Sequence, residues 1–217
     1  MLRITLLHLA ILALCFYIFS SCKKDNNPVG ESPSNGTNSI FPVKIGNLWI
    51  SKVTEFDTTG VTIRTFLDTT TIVQDTLIYG EKWYLRGSTH YLLSPHYFTI
   101  RSNGIWALDL ALQDPQPELA VKYPGVVGDS WNYRIPGGGP DSMRYTIVST
   151  SVPVTVPSGN YTCYFYRLTE QTSPTHFKAE DYLAPGVGLV LDEYFDPTAS
   201  GQLYKKRRTE LISYVLQ

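Results

Sequence analysis

From Phe41 to the C-terminus the chain is cut by turn-forming residues so often that no stretch of about twelve residues keeps a helical period. The breaks are Asp57-Thr58-Thr59-Gly60, Gly80-Glu81-Lys82, Ser102-Asn103-Gly104, Gln113-Asp114-Pro115-Gln116-Pro117, Gly137-Gly138-Gly139-Pro140-Asp141, Pro157-Ser158-Gly159-Asn160 and Asp196-Pro197 through Gly201. Each supplies the Gly, Pro, Asn or Asp that a tight turn needs. Between them lie runs rich in Thr, Val, Ile, Tyr and Phe, the residues that suit a pleated, half-buried surface. These runs predict strands over Trp49–Phe56, Val61–Asp68, Thr69–Tyr79, Trp83–Arg86, Tyr91–Leu93, Tyr97–Arg101, Ile105–Leu110 and Trp131–Ile135. Further on they predict Met143–Ser149, Val152–Val156, Tyr161–Thr169, His176–Leu183, Val187–Phe195 and Leu203–Leu216, with one helical turn at most, over Ala107–Leu112. The fold class that follows is all-β and mostly antiparallel. A curved sheet closing towards a barrel, lipocalin-like or half-barrel in shape, is the first choice and a two-sheet β-sandwich the alternative.

One pattern occurs twice. Phe41-Pro42-Val43-Lys44-Ile45-Gly46-Asn47-Leu48-Trp49 and Tyr123-Pro124-Gly125-Val126-Val127-Gly128-Asp129-Ser130-Trp131 both read aromatic-Pro-x-x-x-Gly-x-x-Trp. The repetition suggests two related halves, 40–122 and 123–217, within a β-rich domain spanning 40–217. In each copy Pro and Gly make a turn and the Trp plugs one end of the sheet. An indole also presents a flat apolar face with one donor, so Trp49 and Trp131 are the candidate ligand-binding residues.

The other constraint lies at the N-terminus. Ile4–Phe19 is almost wholly apolar behind a single Arg3, and it is shorter than the roughly 20 residues of a spanning helix. It reads as a signal peptide, residues 1–21. Phe19-Ser20-Ser21-Cys22 resembles the lipobox of bacterial lipoproteins. With Lys23-Lys24-Asp25 after it, it resembles the Bacteroidota type in particular, although Phe19 replaces the usual Leu. The resemblance implies cleavage before Cys22 and acylation of its thiol. Each buried methylene contributes about 0.8 kcal/mol, so two or three chains on Cys22 hold the protein at a membrane where one would hold it only marginally. Lys23 follows where enterobacterial lipoproteins retained at the inner membrane carry Asp, which implies the outer membrane, at its periplasmic face or the cell surface. Residues 22–39 then form the lipidated cysteine and a polar tether with a reach of about 20–25 Å.

Cysteine use agrees with that placement. Cys15 leaves with the signal and Cys22 is acylated, so Cys163 has no partner within the chain and the core holds the fold without a disulfide. Acidic and basic residues nearly balance, 19 against 18, which gives no footprint for nucleic acid. The densest basic run, Lys205-Lys206-Arg207-Arg208, reads as a solvated strand end or edge.

A search for chemistry finds little. There is no Gly-x-Ser-x-Gly elbow, no His-Glu-x-x-His, no Cys-x-x-Cys and no calcium loop. His90, His96 and His176 are spaced unlike metal ligands. Gly137-Gly138-Gly139 lacks a following Gly-Lys-Ser/Thr, and Gly186-x-Gly188 lacks its third glycine. Asp192 and Glu193 are adjacent in a strand, so they face opposite ways and cannot share a proton. Cys163 reads as a buried structural thiol. The expectation is therefore no catalytic residues, no metal and no cofactor.

What stands out is aromatic content: 15 Tyr, 9 Phe and 4 Trp. Val154-Thr155-Val156-Pro157-Ser158-Gly159-Asn160-Tyr161 and Tyr182-Leu183-Ala184-Pro185-Gly186-Val187-Gly188-Leu189-Val190 resemble stretches of uncharacterised bacterial envelope β-proteins. That resemblance implies a β fold and carries over no functional residues. The expected function is a membrane-anchored, non-catalytic binding module for a hydrophobic or glycan ligand. A structural or assembly lipoprotein contacting other envelope proteins is the alternative, and an enzyme comes last.

Overall fold

The computed structural model describes residues 39–89, 96–110, 115–133, 143–171 and 177–217. The signal peptide, Cys22, all but the last residue of the tether, the strand expected over Tyr91–Leu93, the Gly137–Asp141 turn, His90 and His176 lie outside them. The described residues form twelve strands: β1 (Leu48–Phe56), β2 (Thr62–Ile78), β3 (Glu81–Ser88), β4 (His96–Arg101), β5 (Gly104–Asp109), β6 (Glu118–Lys122), β7 (Ser130–Tyr133), β8 (Met143–Val156), β9 (Gly159–Glu170), β10 (Lys178–Ala184), β11 (Gly188–Pro197) and β12 (Leu203–Val215). No helix occurs among them.

All twelve belong to one antiparallel sheet, in the order β6-β5-β4-β3-β2-β1-β12-β11-β10-β9-β8-β7. The chain thus runs outward from β1 to β6, then returns from the other edge, β7, to β12 beside β1. Its two edge strands are consecutive in sequence and come into contact, so the sheet curls into a nearly closed barrel. The Tyr166 hydroxyl of β9 donates to the Lys122 carbonyl of β6 at 3.0 Å, a further link between the two ends of the sheet. Closure removes most of the exposed sheet edge that would otherwise invite aggregation.

Two strand pairs expected as separate merge into long ones. Val61–Asp68 and Thr69–Tyr79 become the single β2, because no residue between them breaks the backbone. Met143–Ser149 and Val152–Val156 become β8, where bulges at Ile147/Ser149 and Ser149/Val152 absorb the polar stretch between them. The helical turn considered over Ala107–Leu112 is instead strand as far as Asp109. The basic run Lys205–Arg208 lies near the start of β12, an inner strand rather than an edge, and acids on both faces take its charges.

The two aromatic-Pro-x-x-x-Gly turns are built alike. Gly46 N–H donates to Ile72 O and Ile72 N–H to Asn47 O, each at 3.0 Å. In the second copy Gly128 N–H donates to Ile147 O and Ile147 N–H to Asp129 O, each at 2.9 Å. Both isoleucines are buried in one core. That core gathers Ile40, Trp49, Ile72, Phe98, Val154, Cys163, Leu183, Val187 and Leu211 from both halves of the chain, with Phe41 packed against it.

Candidate functional site

Inside the barrel, cross-strand pairing lines side chains into rows. One row reads Ile147, Tyr166, Asp181, Asp192, Thr209, Val53, Phe66 across seven neighbouring strands. Alternation puts paired residues on one face, and Ile147, Tyr166 and Val53, each 1% exposed or less, mark it as the inner face. The next row reads Trp131, Tyr145, Leu168, Ala179, Tyr194, Arg207, Glu55, Arg64. The core thus gives way to a belt of acids, hydroxyls and guanidinium groups framed by aromatic rings.

The centre of the belt is Asp181 facing Asp192 across β10 and β11. Burial pushes the Asp181 carboxyl well above the usual carboxylate range. The neighbouring Asp192 adds to the rise, and the Tyr145 hydroxyl and the Arg207 charge partly oppose it. Two carboxylates this close avoid double ionisation by keeping a proton, so Asp181 is the protonated partner and hydrogen-bonds to Asp192. Tyr145 donates to Asp181 Oδ2 at 3.2 Å, while Arg207 Nη2 (3.1 Å) and Thr209 Oγ1 (3.3 Å) donate to Asp192 Oδ2. Glu193 lies on the other face, held by Lys205 and Arg208 at 2.6 Å each, as strand alternation requires.

An aromatic wall rises beside the pair. Trp131 stacks on Tyr145 with centroids 5.3 Å apart and planes 14° apart, and Tyr133 meets Tyr145 edge-on at 5.9 Å. Burial raises the phenol pKa of both Tyr133 and Tyr145, so both stay neutral donors. The two tryptophans expected to be equivalent part company here. Trp49 is 4% exposed, stacks on Phe41 at 4.6 Å, and gives its Nε1–H to Val187 O at 2.7 Å. Trp131 is half-buried, and its buried Nε1 has no acceptor among the described residues. A buried donor without a partner costs about 1–3 kcal/mol, which a ligand or water would recover.

Opposite that wall stands Arg86 of β3, which the sequence reading did not single out. It pairs with Ile72 in the sheet, so it shares that residue's inner face. It is solvent-exposed, yet the atoms around it desolvate its guanidinium, with Tyr133, Asp68 and Tyr145 the interacting neighbours. An inward-facing side chain that stays exposed marks open space on the inner face of the sheet. Tyr133 and Tyr145 belong to β7 and β8, far from β3 in the sheet order, so the two walls face each other across the barrel.

The remaining candidates play other parts. Burial, with no charge nearby, pushes the Cys163 thiol up to about 12, so it stays protonated and inert at neutral pH. His96 lies in β4. Among the described residues no group of three His, Cys, Asp or Glu is placed to hold a metal ion.

No family model matches the chain, and no curated protein matches it. Among solved structures it is similar to a protein of Parabacteroides distasonis described as a lipoprotein. That likeness has a TM-score of 0.43 and 14% identity over 83% of this chain and 100% of the other. It is also similar to an exported protein of Bacteroides fragilis with a YmcC-like fold, with a TM-score of 0.42 and 11% identity over 81% and 98% of the two chains.

Proposed function

We propose that this protein is a non-catalytic lipoprotein of the bacterial outer membrane, anchored through acylated Cys22, whose barrel lumen binds a glycan. The observation that carries the reading is the stack Trp131–Tyr145–Tyr133, with an indole N–H that has no acceptor among the described residues, facing Arg86 across the barrel. Sugar rings pack their C–H faces on aromatic planes and offer hydroxyls to amides, acids and guanidinium groups, so such a site suits them better than an alkyl chain. The acids support binding over catalysis, because Asp181 and Asp192 spend their oxygens on Tyr145, Arg207, Thr209 and each other.

A second reading, assembly with envelope proteins, draws on Val61, Ile63, Leu67, Val73, Leu77 and Tyr79, all exposed along β2 or its ends. Native mass spectrometry of the full chain, released gently from its host's envelope, separates the two. A reproducible added mass that Trp131→Ala reduces supports the lumen. A bare protein mass persisting after glycan supplementation overturns it in favour of assembly. The anchor has its own test: Cys22→Ala should yield an unacylated protein that leaves the membrane fraction. Retention of acyl chains by that variant would refute it.

A further inference from the structure

Each arginine lining the belt except Arg86 is already committed. Arg207 bonds Asp192 at 3.1 Å and lies over the Tyr194 ring at 5.2 Å. Arg64 forks onto Glu55 at 2.7 and 2.8 Å. Arg86 makes no hydrogen bond or ion pair among the described residues. Asp68, the acid on the adjoining strand, does not take it. Its Oδ1 receives Ser88 Oγ at 2.9 Å and Thr89 Oγ1 at 2.8 Å, and its Oδ2 receives Ser88 Oγ at 3.0 Å. A guanidinium with five fixed donors therefore stands on the inner face, within electrostatic reach of Tyr133 and Tyr145, with no acceptor among the described residues.

The charges around it favour one kind of guest. Asp192 is neutralised by Arg207, and Asp181 holds its proton, so the carboxylate pair presents little net repulsion. Tyr133 presents a neutral hydroxyl, that of Tyr145 is held by Asp181, and the Trp131 N–H has no acceptor among the described residues. A planar fork of donors beside a neutral hydroxyl is the geometry that grips a carboxylate or phosphate with two parallel bonds.

We infer that the lumen ligand carries an oxyanion, and that Arg86 receives it while Trp131 and Tyr145 pack the adjoining ring. The inference rests on the binding-module reading and adds the charge class of the guest. Its chemistry is shared by an acidic sugar and by a phosphate-bearing lipid headgroup, which the test separates.

The full chain in detergent would be titrated, following Trp fluorescence and saturation-transfer NMR, with oligogalacturonate, a neutral malto-oligosaccharide of equal length and dihexanoyl phosphatidic acid. One anionic probe should bind roughly tenfold or more tighter than the neutral one, and which one does so names the source. Arg86→Gln should erase that preference while leaving weak neutral binding in place, and Arg86→Lys should keep part of it. The wild-type preference reads the inference even if a variant fails to fold. Equal binding of neutral and anionic probes overturns it and leaves glycan binding standing, as does an Arg86→Gln protein that keeps the preference. Absence of binding by every probe, together with a bare native mass, overturns both.

Discussion

At the scale of single residues, the Asp181–Asp192 pair decides how the lumen behaves. Burial first, and then the Asp192 charge, raise the Asp181 pKa. A raised pKa stabilises the folded state fully below the unfolded carboxylate value of about 3.9, and that contribution is lost as pH climbs through the folded value. Glu55, Glu81 and Asp129 run the other way, because their cations lower their pKa values. The clean observable is therefore a difference between variants. Asp181→Asn keeps a donor for Asp192 and an acceptor for Tyr145 but cannot ionise. Its stability relative to wild type should improve steadily between pH 4 and 8, by about 1 kcal/mol or more. Urea unfolding at several pH values checks this, and a pH-independent difference would show that Asp181 does not hold the proton. The pair escaped the sequence reading for a physical reason. Counting outward from the Pro185-Gly186 turn sets Asp181 against Leu191. A bulge between Tyr182 and Leu183 shifts the register by one and brings Asp192 opposite instead, and a one-residue slip exchanges the faces of a strand.

At the scale of elements, turns and plugs were legible and their partners were not. Asp57-Thr58-Thr59-Gly60 forms the expected turn, with Asp57 Oδ1 accepting from Thr59 N–H at 2.8 Å and Val61 N–H at 2.9 Å. Both Pro-x-x-x-Gly turns were visible as spacing. That Trp49 would spend its N–H on Val187 while Trp131 found no acceptor among the described residues was not, since the turn before β11 supplies its carbonyl to the first of them. Two glycines separate turn strain from packing. Gly60 has φ +84° with open space around its missing Cβ, so Gly60→Ala should cost only the left-handed penalty of about 1 kcal/mol. Gly188 has φ +99°, and a Cβ there would lie 2.4 Å from Phe41 Cδ2. Phe41 is pinned between Trp49 and Phe98 and cannot step aside. Gly188→Ala should therefore cost about 3 kcal/mol or more, the overpacking of a filled core added to the strain. Equal denaturation midpoints for the two variants would mean that the Phe41 plug is loose.

At the scale of the molecule, the internal repeat does not make two folding units. The sheet joins the halves through β1 and β12, at the middle of the strand order. Strands β1 to β6 come from 40–122 and β7 to β12 from 123–217, so separation exposes one edge along β1 and another along β12. It also strips the Val187 carbonyl from Trp49 and the Lys122 carbonyl from Tyr166. The buried core is shared as well, since Trp49, Ile72 and Phe98 pack in one cluster with Ile147, Leu183 and Leu211. Neither half keeps an apolar face covered, and uncovered β-edges aggregate rather than fold. Fragments 40–122 and 123–217, expressed apart, should lack dispersed amide NMR spectra and recover them, if at all, only on mixing. A dispersed, cooperative spectrum from either fragment alone would show that the repeat marks a domain boundary. The lumen would fare no better than the core, because Arg86 comes from one half and Trp131, Tyr133 and Tyr145 from the other. A fragment that lost binding while a mixture regained it would place the site between the opposing walls of one barrel.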